Sequence, residues 1–107
     1  MSQHLVFYVE FDVKPDCIER FLKGATGVLE AMSHEEAFVD TYFHRDANNP
    51  NKFTLYERWS EPSMEVFMEN QVDGKAYREE YETYLPNLLA SPRKFTVLEA
   101  VGEWKSK

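Results

Sequence analysis

Acidic side chains stand in apolar surroundings at three places in the sequence. Glu10, Glu57 and Glu99 each lie within a segment of alternating apolar and aromatic residues. Burying a carboxylate is costly unless the group is paired or hydrogen-bonded. Such an acid therefore either pairs with an arginine or lines a pocket, where desolvation raises its pKa and suits it to proton exchange. Of the three, Glu57 is the pocket candidate that we favour.

Two further candidates lie close to Glu57 in the sequence. Trp59 follows it by two residues, so in a strand both side chains lie on one face. A tryptophan there is either core or the wall of a pocket for a flat aromatic substrate. His44, beside Arg45, is either a surface residue or a general base near neutral pH. A shift of one residue in strand register would send His44 to the opposite face.

A row of tyrosines marks the second half of the chain. Tyr77, Tyr81 and Tyr84 share one helical stripe, with Arg78 beside it. Their hydroxyl groups need hydrogen-bond partners, which suits the rim of a pocket better than a dry core. We expect Tyr77 and Tyr81 to contact a substrate and Arg78 to hydrogen-bond an anionic group.

Standard catalytic and cofactor motifs are absent from the sequence. It has no glycine-rich phosphate loop, no HExxH and no GxSxG. His4, His34 and His44 are scattered without metal-ligand spacing, so we expect no metal. Cys17 is either a small packed side chain or a thiolate stabilised early on a helix. We accordingly expect no cofactor.

Charge and cysteine content exclude several classes of protein. The formal net charge of −7 argues against a nucleic-acid binder and against an anionic membrane surface, so a small neutral or apolar ligand fits better. Cys17 is alone, which rules out an internal disulfide. The N-terminus lacks the features of a signal peptide and no apolar run is long enough to span a membrane, so we expect a cytoplasmic protein.

Hydrophobic periodicity predicts four strands and two helical regions. Period-two alternation indicates a first strand over His4–Val13. Apolar spacings of three and four indicate a helix from about Pro15 to Met32. An antiparallel hairpin follows, with strands Phe38–Arg45 and Lys52–Trp59 joined by a loop of turn formers. The last strand is predicted over Lys94–Trp104.

The second helical region contains two residues that disfavour helix. It opens at Pro62–Ser63, Gly74 is expected to interrupt it, and Pro86 is expected to kink or divide its second part. In the first helix, Gly24 and Gly27 either permit close approach to the sheet or to a ligand, or are tolerated by packing.

The element order defines a fold class. Strand–helix–strand–strand–helix–strand over residues 1–107 predicts one ferredoxin-like α+β domain, with a four-stranded antiparallel sheet and both helices on one face. The other face would be bare, although the strands read as apolar or aromatic on both faces. Since bare apolar patches of that size mark interfaces, we expect a homodimer that packs sheet to sheet.

The hairpin FVDTYFHRDANNPNKFTLYERW contains Tyr56-Glu57-Arg58-Trp59. This resembles the YE-x-W pattern of the antibiotic biosynthesis monooxygenase (ABM) family, and the tail KAYREEYETYLPNLLASPRKFTVLE resembles one branch of it. The resemblance implies a dimeric α+β barrel. It also implies that the chain is related to enzymes that oxidise polycyclic phenols or quinols with molecular oxygen, without metal, flavin or haem.

The resemblance leads to an expected mechanism. A base such as His44 or Glu57 takes a phenolic proton, Trp59 orients the ring, and Arg78 stabilises the anion that then gives an electron to oxygen. The chain departs from the family where many members carry histidines after the tryptophan. Met64, Met68 and Asp73 occupy those places here.

Two alternative functions stay open from the sequence. Another branch of the superfamily isomerises small phosphorylated diketones, and such a ligand would need a basic pocket. Arg58, Arg78, Arg93 and Lys94 are the residues available to form one. A non-catalytic ligand-binding dimer is the third possibility, because fold does not fix function.

Overall fold

The computed structural model describes residues 4–107. The elements, in chain order, are β1 (Leu5–Asp12), a 3₁₀ turn (Pro15–Cys17), α1 (Ile18–Met32), β2 (Phe38–Arg45), β3 (Lys52–Trp59), α2 (Met64–Phe67), a π-helix (Met68–Val72), α3 (Ala76–Leu88) and β4 (Lys94–Leu98). The bounds of β2 and β3 are those that the sequence pattern predicts.

The four strands form one antiparallel sheet in the order β2-β3-β1-β4. This order, together with the helices that follow β1 and β3, confirms the predicted ferredoxin-like α+β fold. Phe21 and Met32 of α1 and Leu85 of α3 are buried with the inner residues of the strands in one hydrophobic core. One face of the sheet is therefore covered by helices.

Burial alternates along the two central strands. Their buried residues are Leu5, Phe7, Val9 and Phe11 on β1, and Phe53, Leu55, Glu57 and Trp59 on β3. The alternation places these side chains on the helix-covered face, because successive side chains of a strand point to opposite faces. Glu57 is thus carried into the core side of the sheet by its position in the strand.

The face of the sheet without helices is more polar than the sequence suggested. Tyr42 and Tyr56 lie on it with ring centroids 6.3 Å apart, and Tyr42 is 53% exposed. Arg58 donates from Nε to Asp40 Oδ1 at 2.9 Å and from Nη2 to Asp40 Oδ2 at 2.6 Å. The expectation of apolar or aromatic residues on both faces holds for the two tyrosines, whereas the Arg58–Asp40 pair adds charges that it did not include.

The last strand is shorter than predicted. It ends at Leu98 and not at Trp104. Leu98 pairs with Val6, and β1 begins at Leu5, so among residues 4–107 β4 reaches the end of the one strand that it pairs with there. A strand at the edge of a sheet cannot continue where the ladder of hydrogen bonds has ended.

The second helical region divides into α2, the π-helix and α3. Gly74, with φ +76°, separates the π-helix from α3, as the sequence predicted. Pro86 does not divide α3, which continues through it to Leu88. The proline lies close to the end of the helix, and of the expected kink or division the division does not occur. No helix within residues 4–107 is both long and apolar enough to cross a membrane.

Of the two glycines in α1, only one lies against a neighbouring element. A Cβ at Gly24 would lie 2.3 Å from the Tyr84 hydroxyl oxygen and 3.2 Å from Cζ of the same ring. Arg20 covers that ring, with Cζ 3.9 Å from its centroid, which limits the ability of Tyr84 to move aside. A Cβ at Gly27 would meet no atom within 4 Å. Gly24 therefore allows α1 and α3 to approach.

These surroundings predict opposite results for two identical substitutions. Gly27→Ala should raise the free energy of unfolding by about 0.5–1 kcal/mol, because alanine favours helix over glycine. Gly24→Ala should lose that gain and destabilise the fold, because the methyl group overlaps the Tyr84 ring. Urea unfolding of both variants provides the measurement. Equal stabilisation by the two alanines would contradict the close approach.

Candidate functional site

A cavity of about 400 Å³ lies between the inner face of the sheet and the helices. Its volume falls within the range of pockets that bind small organic molecules. Its walls are mainly apolar and come from every strand and from α1, α2, the π-helix and α3. The apolar lining residues include Phe7, Val9, Val28, Met32, Phe43, Leu55, Phe67, Phe95 and Val97. The polar lining residues are Glu57, Arg78, Tyr81, Glu82 and Arg93.

Glu57 is the buried acid of the cavity, as predicted from its place in the strand. It is 4% exposed, and Oε1 accepts a hydrogen bond from the Trp59 indole Nε1 at 2.9 Å. Burial raises the pKa of Glu57 above its ordinary value, while the hydrogen bond from Trp59 and the charges of Arg78 and Arg93 oppose that shift. A carboxyl group with a raised pKa is suited to exchange protons near neutral pH.

Trp59 supports the cavity from behind and does not line it. The side chain is completely buried, and its ring lies 5.2 Å from that of Phe38 and 5.0 Å from that of Phe67, both edge to face. The prediction that Trp59 shares the inner face with Glu57 is confirmed. Its indole N–H orients the Glu57 carboxyl group by hydrogen bonding. Trp59 is not among the lining residues, so its position does not support the predicted contact with a substrate ring.

Arg78 brings a positive charge to the cavity. Its guanidinium Cζ lies 5.5 Å from the ring centroid of Phe67 and 5.9 Å from that of Trp59. The Nε and Nη2 atoms are buried and have no hydrogen-bond partner within the described chain. Buried donors without partners are rare in folded proteins. The arrangement is therefore suited to a ligand that supplies acceptors.

The residues of α3 that face the cavity are not the row of three tyrosines that the sequence pattern suggested. Arg78, Tyr81 and Glu82 line the cavity, at the spacing of one helical face. Tyr77 lies outside it, where its hydroxyl donates to Glu35 Oε2 at 2.9 Å. That bond and one from Lys75, at 3.1 Å, hold the pKa of Glu35 below its ordinary value. Tyr81 lines the cavity, where its predicted substrate contact stays a prediction, whereas Tyr77 joins α3 to the turn after α1.

His44 lies on the face of the sheet opposite the cavity. It pairs with Thr54, whereas its neighbour Phe43 pairs with Leu55 and reaches the cavity. The expectation that His44 reaches the cavity from the adjacent strand is therefore wrong. The register of β2 and β3 decides this, because a side chain next to an inward residue must point outward.

An ion pair forms part of the cavity wall near β4. Arg93 Nη1 donates to Glu82 Oε2 at 2.9 Å, Nη2 donates to Oε1, and the guanidinium lies 5.0 Å from the ring centroid of Phe95. Glu82, Arg93 and Phe95 also line a second cavity of about 420 Å³ beneath the end of α3. The ion pair thus separates two cavities, a feature that the sequence did not reveal because Glu82 and Arg93 come from different elements.

Comparison with known proteins identifies the family of this fold and site. The sequence model described as antibiotic biosynthesis monooxygenase matches residues 5–71, which is more than half of the chain. The chain belongs to the ABM family. The match covers β1 through the π-helix and includes Glu57 and Trp59. No curated protein matches the chain.

Solved structures show the same fold at low sequence identity. A putative antibiotic biosynthesis monooxygenase from Nitrosomonas europaea is 20% identical with a TM-score of 0.79, over 94% of this chain and 93% of that one. A second, from Bacteroides thetaiotaomicron, is 14% identical with a TM-score of 0.82, over 98% and 97% of the two chains. Rv0793 from Mycobacterium tuberculosis is 17% identical with a TM-score of 0.81, over 96% and 100%.

The ABM chain has methionines in the wall where the family resemblance led us to look for histidines. Met64 and Met68 both line the cavity, and Asp73 is not among the lining residues. Met68 opens the π-helix, which is held by hydrogen bonds from Gln71 and Asn70 to the carboxylate of buried Glu61, at 2.7 and 3.1 Å. Two of these three positions therefore make the cavity more apolar.

The burial of Glu57 predicts a pH-dependent effect on stability. Because the folded pKa is raised, the unfolded chain loses the proton first as the pH rises, and stability falls through the folded pKa. Glu57→Gln should match the parent protein below about pH 4, where both states are protonated. At pH 8 it should be more stable than the parent protein, because glutamine places no ionised carboxylate in the buried site.

Urea unfolding across this pH range tests the expectation. Glu10→Gln is the matched control, because Glu10 lies on the opposite face, half-buried and paired with Lys52 at 3.3 Å. That substitution should not stabilise the protein as the pH rises. A Glu57→Gln variant that loses stability at pH 8 would show that the ionised carboxylate is held favourably in the fold.

Proposed function

We propose that this ABM-family protein is a monooxygenase that acts on a small phenol or quinol bound in the cavity. The observation that carries the proposal is the combination of buried Glu57 with the unpartnered donors of Arg78 in one apolar cavity. The ionised Glu57 carboxylate can take a proton from a phenol, and the Arg78 guanidinium can hold the resulting anion. Apolar walls suit its rings.

The proposed reaction needs no external reductant. A phenol with a free para C–H reacts with one O₂ to give the para-quinone and one water. One oxygen atom enters the ring at the para carbon, and the other leaves as water with the two hydrogens lost from the phenol. The substrate supplies all four electrons that reduce O₂, which is why we expect turnover without an added cofactor.

The residues have distinct roles in this reaction. Glu57 takes the phenolic proton, and its orientation is fixed by the Trp59 indole at 2.9 Å. Arg78 holds the phenolate oxygen by charge-assisted hydrogen bonds, which favours the electron-rich anion that reduces oxygen. His44 takes no part in proton transfer in this cavity, because it lies on the other side of the sheet.

The contacts of the basic residues count against an isomerase of phosphorylated metabolites. Arg93 is paired with Glu82, and Arg58 is paired with Asp40 on the opposite face. Lys94 pairs in the sheet with Glu10, a residue of that same opposite face. The basic pocket that a phosphate dianion requires is therefore reduced to Arg78, beside two glutamates.

Oxygen consumption with a panel of naphthols and quinols tests the proposal. Glu57→Gln should lower kcat by about a hundredfold or more, a typical value for loss of a general base. Arg78→Met should lower kcat/KM to a similar degree, because the anion loses its partner. The matched controls, Glu10→Gln and Arg45→Met, alter a glutamate and an arginine outside the cavity and should retain activity. Ligand binding without oxygen uptake by the parent protein would instead indicate a non-catalytic binding protein.

We also propose that the chain works as a homodimer joined through the helix-free face of the sheet. The exposure of Tyr42 beside Tyr56 supports this, as do the apolar Val101 and Trp104, which are 97% and 86% exposed.

Light scattering should give twice the 12.6 kDa mass of the chain at micromolar concentration. Tyr42→Glu should shift the protein toward the monomer by placing a charge at the interface, whereas Lys23→Glu, on the exposed surface of α1, should not. A parent protein that is monomeric would contradict the proposal.

A further inference from the structure

Arg58 and Arg78 differ in whether the edge of the guanidinium group formed by Nε and Nη2 has a hydrogen-bond partner. Arg58 donates hydrogen bonds from Nε and Nη2 to the two different carboxylate oxygens of Asp40, at 2.9 and 2.6 Å. These two N–H bonds are parallel and match two oxygens on one side of a flat group. The same edge of Arg78, Nε together with Nη2, is buried and has no partner in the described chain.

We propose that Arg78 recognises two neighbouring oxygen atoms on the edge of a flat anionic ligand. A carboxylate on an aromatic ring presents such a pair, as does an ionised ring with a hydroxyl beside a carbonyl. This inference rests on the proposed function, because it specifies the ligand of the same cavity. It goes further in requiring an oxygen pair, where the proposed reaction requires only one phenolic oxygen.

The surroundings of Arg78 favour a flat ligand that carries a single negative charge. Arg93, the other arginine of the cavity wall, is already neutralised by Glu82. Glu57 lines the same cavity and, when ionised, would repel a ligand with two charges more strongly than one with a single charge. The aromatic residues Phe7, Phe43 and Phe95 line the cavity, and aromatic walls suit a planar ring system.

Binding measured without oxygen tests the inference separately from turnover. Calorimetry under argon would compare 2-naphthoate and ionised 2-hydroxy-1,4-naphthoquinone, which have an oxygen pair, with 2-naphthol and 2-naphthamide, which do not. At least one of the two ligands with an oxygen pair should bind about tenfold tighter, or more, than both 2-naphthol and 2-naphthamide. If the natural ligand presents a carboxylate, 2-naphthoate should be preferred. If it presents a hydroxyl beside a carbonyl, the quinone should be preferred.

Arg78→Lys separates the geometry of the fork from its charge. Lysine keeps the positive charge but lacks the two parallel donors. The variant should lose about tenfold in affinity for the preferred ligand and little for 2-naphthol. Arg45→Lys is the control, because Arg45 bonds the Pro50 carbonyl oxygen at 2.8 Å and does not line the cavity. An unchanged affinity in Arg78→Lys would overturn the inference, since charge alone would then explain binding.

A spectroscopic measurement on the parent protein keeps the inference testable if the lysine variant does not fold. The Nε–H resonance of Arg78 should move downfield when the preferred ligand binds, while that of Arg45 stays in place. Tight binding without movement of the Arg78 resonance would refute the two-oxygen contact. If the binding preference holds but no bound ligand is oxygenated, the proposed function fails and this inference stands.

Discussion

Burial of the Glu57 carboxyl group governs the arrangement of the residues around it. The alternation of β3 fixes the inward direction of this side chain, and β3 is held in register by β1 on one side and β2 on the other. A carboxyl group so placed cannot reach bulk water and must find its partners inside the fold. Trp59, on the same face two residues later, supplies an N–H at 2.9 Å. The strand thus provides both the acid and the group that orients it.

The cavity exists because the sheet is wider than the layer of helices. The inner face of β4 carries Phe95 and Val97, which remain 49% and 57% exposed. Their side chains continue the apolar wall beyond the covered strands and leave the cavity accessible from this edge. At the other end, the π-helix brings Met68 and Val72 into the wall. A small domain thereby combines a closed core with an accessible apolar compartment.

Periodicity predicted the fold where the structure depends on local pattern, and it failed where the structure depends on partners. The bounds of β2 and β3 were predictable, because alternation and turn formers act within a few residues. The end of β4 was not, because it depends on where β1 begins. The close approach at Gly24 and the exposed position of Gly27 could not be told apart in the sequence, since only the former faces Tyr84.

The site was predictable to the extent that single elements determine it. Glu57 stood out as an acid in an apolar strand, and Arg78 as a charge beside a helical stripe. The phase of α3 was missed by one position, since tyrosines mark both the cavity and the contacts beside it, and so Tyr77 was misplaced. His44 was misplaced because a register cannot be read from one strand alone. The Arg93–Glu82 pair joins the segment before β4 to α3 and has no signal within either segment.

Charge conservation within the cavity explains how a buried acid and a half-buried arginine can serve the proposed reaction together. Before proton transfer the charges are the Glu57 carboxylate and the Arg78 guanidinium, and the phenol is neutral. Afterwards Glu57 is neutral and the phenolate faces Arg78, so the net charge in the apolar compartment has not changed. Burial favours the protonated form of Glu57, and the guanidinium favours the ligand anion, so each group stabilises the product of the transfer. Met64 and Met68 line the wall, and in the proposed exchange Glu57 is the group that accepts the proton. The ABM fold carries these groups, and the proposed reaction depends on one acid, one guanidinium and apolar walls that limit the access of water to them.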